Sequence, residues 1–194
     1  MGREFELKYR AAEEQLAALE AAFSGFAPIS METTYYDTPD GDLGKLRWTL
    51  RRRYENGVAV CTMKTPEVNG LRGEWETYAD SIENAVPVLC KLGAPEELAI
   101  FAAKGLLPTC GARFTRLAAL VEAEGCTLEI ALDRGVLMGG GKEIPLMEAE
   151  VELKSGSDDA ARAFAEKLAA DFGLTPEPKS KVQRAMALRH MPPL

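Results

Sequence analysis

Charged residues recur at every second position in several short stretches of this sequence. Glu4, Glu6 and Lys8 alternate with Phe5 and Leu7. Comparable groups are Arg51 and Arg53, Thr62 and Lys64, Arg72 with Glu74 and Glu76, Glu129 with Asp133, and Glu148 with Glu150 and Glu152. Carboxylate pairs at this spacing share one face of a strand and can converge on a hard divalent cation such as Mg²⁺. Arg and Lys on neighbouring strands can bind phosphate oxygens, so the pattern is typical of a metal-bound polyphosphate site.

The simplest alternative is that this charged face meets water, as in many antiparallel sheets that are packed on one side only. The distribution of sign argues against it. The strands near residues 4, 75, 131 and 150 are acidic, whereas those near residues 52, 63 and 116 are basic. A face that only solubilises would mix both signs along each strand. Ionised carboxylates that face one another also repel without a cation, so the pattern favours bound ions.

The elements that would carry these residues follow from the periodicity of apolar side chains. Alternation predicts strands over residues 3–9, 33–37, 46–54, 58–64, 72–78, 114–123, 127–133 and 148–154, with a short piece near Val136. Helical spacing predicts helices over residues 11–23, 158–172 and 181–188, and two short ones within 81–107. We interpret Arg134-Gly135 and Gly139-Gly140-Gly141 as turns. Adjacent strands with inserted helices predict one antiparallel α+β domain over residues 1–194, and the strand count suggests closure into a barrel.

Composition narrows the class of protein. The chain has 23 Lys and Arg against 30 Asp and Glu, a net charge of −7, which argues against a generic partner such as nucleic acid or an anionic membrane. The N-terminus is charged and no apolar run approaches about 18 residues, so we expect neither a signal peptide nor a membrane span. We therefore predict a cytoplasmic protein, as a monomer or weak homodimer.

Cysteine and histidine exclude several kinds of site. Cys61, Cys90, Cys110 and Cys126 form no C-x-x-C pair, so we expect buried, reduced thiols. His190 is the single histidine, which excludes histidine triads and sites with several histidine ligands.

A series of short motifs in this order resembles the CYTH superfamily, also called triphosphate tunnel metalloenzymes. The first is Glu4-Phe5-Glu6-Leu7-Lys8, which matches the family's E-x-E-x-K. The others are Tyr35-Tyr36-Asp37-Thr38-Pro39, Leu50-Arg51-Arg52-Arg53, Thr62-Met63-Lys64, Arg72-Gly73-Glu74-Trp75-Glu76, Ala131-Leu132-Asp133-Arg134-Gly135, Glu150-Val151-Glu152-Leu153 and Ser180-Lys181-Val182-Gln183-Arg184. The resemblance covers about residues 4–184.

This resemblance implies an eight-stranded antiparallel β-barrel that forms a tunnel, with the charged face inward and helices packed outside. It implies two Mg²⁺ or Mn²⁺ ions as cofactors. The metal ligands it implies are Glu4, Glu6, Asp133, Glu150 and Glu152, with Glu74 and Glu76 as helpers. The triphosphate-binding residues it implies are Lys8, Arg51, Arg53, Lys64, Arg72, Arg116, Lys181 and Arg184. Glu4, Glu6 and Lys8 form the expected catalytic group.

Some charged residues are left out of this expected site. Arg52 has the opposite parity to Arg51 and Arg53, which predicts a charge on the outer surface. Lys45 and Arg47 belong to a loose match before the L-R-x-R strand, and we expect them at the surface. Glu129 and Glu148 share the parity of the site but match weaker family positions.

The activity that the resemblance favours is hydrolysis of inorganic triphosphate to pyrophosphate and phosphate. Thiamine triphosphatase and class IV adenylate cyclase are the alternatives within the family. A noncatalytic module that binds polyphosphate is a third, although anion binding alone would not require two E-x-E pairs.

Overall fold

The computed structural model describes residues 5–66 and 73–190. Its strands are β1 Glu6–Arg10, β2 Ala27–Asp37, β3 Thr49–Glu55, β4 Val58–Lys64, β5 Glu74–Tyr78, β6 Leu107–Ala123, β7 Cys126–Gly139, β8 Lys142–Gly156 and β9 Thr175–Pro176. Its helices are α1 Glu13–Ala22, α2 Asp42–Lys45, α3 Ile82–Lys91, α4 Glu97–Ala102, α5 Asp158–Phe172 and α6 Lys181–Ala187, and a 3₁₀ turn follows at Leu188–His190. Two residues predicted for the site, Glu4 and Arg72, lie outside the described residues.

One antiparallel sheet contains the strands in the order β5-β4-β3-β2-β6-β7-β8-β1-β9. The predicted antiparallel α+β class is confirmed, but the eight-stranded closed barrel is only approximated. The sheet has nine strands, and within residues 5–66 and 73–190 no ladder joins β5 to the opposite edge. Strand β9 pairs with Tyr9 and Arg10 and thereby occupies the edge of β1 that closure would need.

Helices cover the outer, apolar face of the sheet in two places. On one side α1 and α5 bury Leu16 and Leu168 against Ile130, Leu132 and Val151 of β7 and β8. On the other side α3 and α4 pack against β3 and β4 in the cluster of Leu43, Leu50, Cys61, Met63, Ile82, Leu89 and Leu98. Each fully buried Leu or Ile side chain stabilises the fold by about 1.5–3 kcal/mol. In residues 5–66 and 73–190 we find no helix with the length and apolar character needed to cross a membrane.

Helix α6 departs from the expectation that the helices pack outside. Ala185 of α6 and Leu188 of the next turn are buried against Phe114, Leu137 and other apolar residues of β2, β6, β7 and β8. Phe114 precedes Arg116 by two positions on β6, so both side chains lie on the same face of the sheet. Helix α6 therefore covers part of the inner, charged face.

Strand β7 runs without interruption through Arg134 and Gly135, which the sequence suggested as a turn. Gly135 is opposite Phe114 in the β6–β7 ladder, and a Cβ atom there would overlap the Arg113 carbonyl oxygen. The glycine allows the two strands to approach closely rather than ending one of them. The prediction of a turn was wrong because the sequence does not show that β6 and β7 approach closely at Gly135.

Gly139 plays a similar role where α6 meets β7. A Cβ atom at Gly139 would overlap the Ala185 carbonyl oxygen. We expect Gly139→Ala to displace α6 and to lower the free energy of unfolding by about 3 kcal/mol, measured by urea denaturation. The matched variant Gly141→Ala, in the same turn with open space around it but a φ of 75°, should cost only about 1 kcal/mol. Equal effects of the two substitutions would contradict this account of α6 docking.

The four cysteines are free thiols, and Cys61, Cys110 and Cys126 are buried. Burial raises the pKa of both Cys61 and Cys110 to about 11. Because the thiolate is the reactive form, both should resist iodoacetamide at pH 8 in the native protein and react fully once urea unfolds it. Mass spectrometry of the alkylated peptides measures this, and Cys90, which is only partly buried, serves as the internal comparison. Fast native labelling of Cys61 or Cys110 would contradict the structure.

Candidate active site

Charged side chains from both halves of the sheet line one cavity of about 620 Å³. Its volume is within the usual range of small-molecule sites. Strands β1, β3, β4, β6 and β8 contribute, and so does α6. The predicted site residues that line the cavity are Glu6, Lys8, Arg51, Arg53, Lys64, Arg116, Glu150, Glu152 and Lys181. The sheet thus curves enough to bring strands that are distant in its order around a single space.

The register of the strands arranges the charges in rows across the sheet. Arg116 of β6 is opposite Asp133 of β7, and Asp133 is opposite Glu148 of β8. A second row contains Glu6, Glu152 and Glu129, on β1, β8 and β7 respectively. Side chains that are directly opposite have Cβ atoms about 4.5–5.5 Å apart, so each row forms a continuous charged surface. The first row combines both signs and the second is acidic.

The first row is the centre of a buried ion-pair network. The Arg116 guanidinium donates two hydrogen bonds of 2.8 Å to the Asp133 carboxylate and also contacts Glu150. The Lys181 ammonium is 2.9 Å from Asp133 and 2.5 Å from Glu150, and it contacts Glu148 as well. Arg184 contacts Glu148. We call these six residues, Arg116, Asp133, Glu148, Glu150, Lys181 and Arg184, the central network.

The pKa values in the central network reflect competition between burial and charge. Burial alone would lower the pKa of Lys181, but Glu150, Asp133 and Glu148 raise it above its ordinary value. Burial would raise the pKa of Glu150, whereas Lys181 and Arg116 hold it well below the usual range. The pKa of Glu148 changes in the opposite direction, since burial raises it and the neighbouring Glu150 adds to the increase. Glu150 is therefore ionised around neutral pH, opposite a protonated Lys181.

A capping box fixes the start of α6 and hence the position of Lys181. The Ser180 hydroxyl accepts a hydrogen bond from the Gln183 backbone, and the Gln183 side chain accepts one from the Ser180 backbone. These bonds satisfy groups that a helix end leaves free and set its first residue, which is Lys181. The S-K-x-x-R motif thus encodes a helix start that directs Lys181 and Arg184 to the central network.

The wall formed by β3 and β4 is cationic, and Lys8 of β1 adds a further cation to the lining of the cavity. Arg51 and Arg53 lie two positions apart on β3, and burial followed by the charge of Arg51 lowers the pKa of Arg53. Arg53 contacts Glu55 at 3.4 Å and Thr33 at 3.2 Å, and Lys64 pairs with Glu74 at 2.9 Å. Within the described part of the chain, Lys8 and Arg51 have no ion-pair partner, and the Arg51 Nε is buried without a hydrogen bond. This wall has an excess of positive charge that a bound anion would neutralise.

Two groups of carboxylates could hold a divalent cation. The oxygens of Asp133, Glu148 and Glu150 lie within 4.8 Å of one another, but cations of the central network already contact each of these residues. Glu6 and Glu152 both line the cavity from directly opposed positions. Lys154, 3.0 Å from Glu152 and 3.5 Å from Glu129, is the ammonium nearest that row among the ion pairs described. Hard oxygen donors in this row fit Mg²⁺ or Mn²⁺.

A family model described as the CYTH domain matches residues 2–186. The chain belongs to the CYTH family. An inorganic triphosphatase from Haemophilus influenzae is 32% identical over 162 residues, which are 82% of this chain and 46% of that protein. The chain therefore spans about half the length of this curated relative.

Solved structures support the CYTH fold. The HpAC1 protein from Hippeastrum, for which a dominant triphosphatase activity is described, superimposes with a TM-score of 0.69 at 20% identity, over 97% of this chain and 98% of that one. The PH1819 protein from Pyrococcus horikoshii gives a TM-score of 0.63 at 22% identity, over 95% and 99% of the two chains. At these identities the likeness concerns the fold alone.

Four other residues predicted for the CYTH site are described by the structure but do not line the cavity. Glu74 and Glu76 are on the exposed edge strand β5, where Glu74 pairs with Lys64 and Glu76 accepts a hydrogen bond from Thr62. Asp133 and Arg184 are behind the lining, in the central network. Glu4 and Arg72 are outside the described residues. Arg52 lies on the outer side, where its guanidinium donates to the Asp80 carbonyl and stacks on Tyr54.

Two charged residues have a place at the site that was not predicted from the sequence. Glu148, which was left out of the expected site, is fully buried between Lys181 and Arg184. Its parity with Glu150 and Glu152 was the signal that could have included it. Arg47 is exposed, as predicted, but it also lines the cavity. No pattern in the sequence indicates this, because Arg47 precedes the strand and follows a short helix.

The central network predicts that Glu148 holds α6 against the sheet. We expect Glu148→Gln to lower the free energy of unfolding by about 2 kcal/mol, because Arg184 would lose its closest carboxylate while Lys181 keeps Asp133 and Glu150. Urea denaturation measures the change. Glu143→Gln is the matched control on β8, since its pair with Arg113 is exposed and spans 3.8 Å, and it should cost less than about 0.5 kcal/mol. A Glu148→Gln protein as stable as the control would refute this role.

Proposed function

We propose that this chain hydrolyses inorganic triphosphate to pyrophosphate and phosphate in a reaction that requires Mg²⁺ or Mn²⁺. The observation that carries the proposal is the cationic wall opposite an acidic row within one cavity. Arg51 and Arg53 are like charges side by side, and the Arg51 Nε lacks a partner. A polyanion relieves that repulsion, and the carboxylates of Glu6 and Glu152 supply the ligands for its cation. The relative from Haemophilus influenzae supports the same substrate.

The cavity residues have distinct parts in this proposal. Lys8, Arg51 and Arg53 bind phosphate oxygens, and Lys64 belongs to the same wall as the two arginines. Glu6 and Glu152 hold the cation, and Glu4 is the third proposed ligand because the E-x-E spacing gives it the parity of Glu6. When bound, the cation supplies charge neutralisation at the phosphate oxygens and lowers the pKa of the attacking water. The arginines stabilise the negative charge that develops on the leaving pyrophosphate.

The central network acts as support in this scheme. Asp133 and Glu150 orient Arg116 and Lys181, both of which line the cavity and can turn toward the substrate. Carboxylates that orient cationic side chains reduce the entropy that these side chains lose when they bind phosphate. The predicted roles of Asp133 and Glu150 as metal ligands and of Arg184 as a phosphate ligand remain predictions.

Substrate assays distinguish the proposed activity from its alternatives. The protein is incubated with inorganic triphosphate, thiamine triphosphate or ATP, with Mg²⁺, Mn²⁺ or EDTA, and phosphate and cyclic AMP are quantified. We expect phosphate release from inorganic triphosphate in the presence of either metal and none in EDTA. Formation of cyclic AMP from ATP would contradict the proposed hydrolysis and indicate a cyclase. Tight binding of triphosphate without turnover would indicate a noncatalytic module.

Variants of the acidic row test the metal ligands. Glu6→Gln and Glu152→Gln keep the shape of each side chain but remove its charge, so we expect turnover to fall about 100-fold or more while the unfolding transition persists. Excess Mn²⁺ should restore part of the activity if metal affinity is the cause. Glu143→Gln, an exposed carboxylate on the same strand as Glu152, should leave turnover unchanged. Full activity in both acidic-row variants would eliminate this row as the metal site.

A further inference from the structure

Arg47 adopts an unusual backbone conformation at the edge of the cavity. Its φ is 56°, in the left-handed region that non-glycine residues seldom occupy. Arg47 is exposed and lines the cavity together with Trp48 and Thr49. Within residues 5–66 and 73–190 it has no ion-pair partner. A residue whose backbone is held in a strained conformation beside a binding cavity is a candidate for function.

The strain arises because Arg47 occupies a position that favours glycine. The Trp48 N–H donates to the Leu43 carbonyl at 2.9 Å, and the Arg47 N–H donates to the Gly44 carbonyl at 2.9 Å. This pair of bonds is the Schellman motif that ends many helices, in which the residue at the position of Arg47 is usually Gly. An L-residue there costs about 1–2 kcal/mol. The chain nevertheless has the longest cationic side chain at this point.

Several contacts prevent the turn from relaxing. The Asp37 carboxylate accepts hydrogen bonds from the backbone of Leu43 and Gly44, both at 2.9 Å. Lys104 pairs with Asp42 at 2.8 Å. After the turn, the Trp48 ring packs edge-on against Phe101, with centroids 6.0 Å apart. Helix α2 and β3 are both held in place, so the backbone of Arg47 between them is held as well.

We propose that Arg47 is a substrate-binding residue that contacts the phosphate nearest the cavity rim. This inference rests on the proposed function, since it assigns one end of the same polyphosphate. Arg47 is exposed, whereas the side chains of Arg116 and Lys181 are only 13% and 9% exposed. A triphosphate that reaches the inner cations extends outward to Arg47, and pyrophosphate, which is one phosphate shorter, does not. Arg47 thereby favours triphosphate over pyrophosphate.

Substitutions at Arg47 separate the charge from the backbone strain. Arg47→Gly removes the cation and also supplies the residue that the turn favours, so the variant should unfold about 2–4 °C higher than the unchanged protein. Its KM for inorganic triphosphate should nevertheless rise about tenfold with little change in kcat, because one charge-assisted hydrogen bond is lost. Arg47→Lys should recover part of the loss. A higher melting temperature together with a higher KM is a result that a purely structural role would not produce.

Lys45→Ala is the matched control. Lys45 lies two residues earlier, is 66% exposed, pairs with Asp42 at 3.9 Å and does not line the cavity. Its removal changes the net charge as much as Arg47→Gly does, so it measures the long-range electrostatic effect alone. We expect less than about a twofold change in KM for this variant.

Calorimetric titration in EDTA, with inorganic triphosphate and then pyrophosphate as probes, tests the inference independently of turnover. The dissociation constant of triphosphate should rise about tenfold in Arg47→Gly, and that of pyrophosphate less than about twofold. Equal losses for the two probes, or no loss for either, would overturn the assignment. If the unchanged protein binds triphosphate in an Arg47-dependent manner but hydrolyses nothing, the proposed function fails and this inference stands. If it hydrolyses triphosphate with a KM that Arg47→Gly leaves unchanged, the inference fails and the function stands.

Discussion

The central network is the interaction on which the rest of this site depends. A lone buried charge is strongly unfavourable, so each of its members requires the others. Asp133 and Glu148 come from adjacent strands, and Lys181 comes from a helix that follows them in sequence. The network therefore forms only when the β6–β8 register and the docking of α6 are both correct. Since α6 also lines the cavity, the same ion pairs that stabilise the fold determine the shape of the site.

The buried central network and the two walls of the cavity differ in their net charge. The central network balances its carboxylates with its own cations, whereas the wall around Arg51 and Arg53 retains an excess of positive charge. Glu6 and Glu152 place negative charge on the opposite wall. The net charge of −7 is thus no obstacle to a polyanionic ligand, because the local field and not the sum over the chain acts on it.

Two features of this site lower the stability of the folded protein. The neighbouring guanidinium groups on β3 repel one another, and Arg47 holds a backbone conformation that glycine would adopt without strain. Binding sites commonly retain such unfavourable features, because a ligand relieves them and the surrounding structure maintains them. Here the surrounding structure includes the Asp37 carboxylate, which gives a physical role to the Tyr35-Tyr36-Asp37-Thr38-Pro39 motif.

The sequence by itself indicated where eight of the strands lie, the face on which their charges lie and most charged residues of the cavity, because strand parity is a local property with a period of two. The shared parity of Glu148 with Glu150 was visible as well, but its burial was not. Tertiary structure alone decided that α6 packs on the inner face, that β7 continues through Gly135, that β9 occupies the edge of β1, and that Arg47 reaches the cavity. Each of these depends on contacts between residues far apart in the chain, and no local periodicity encodes such contacts.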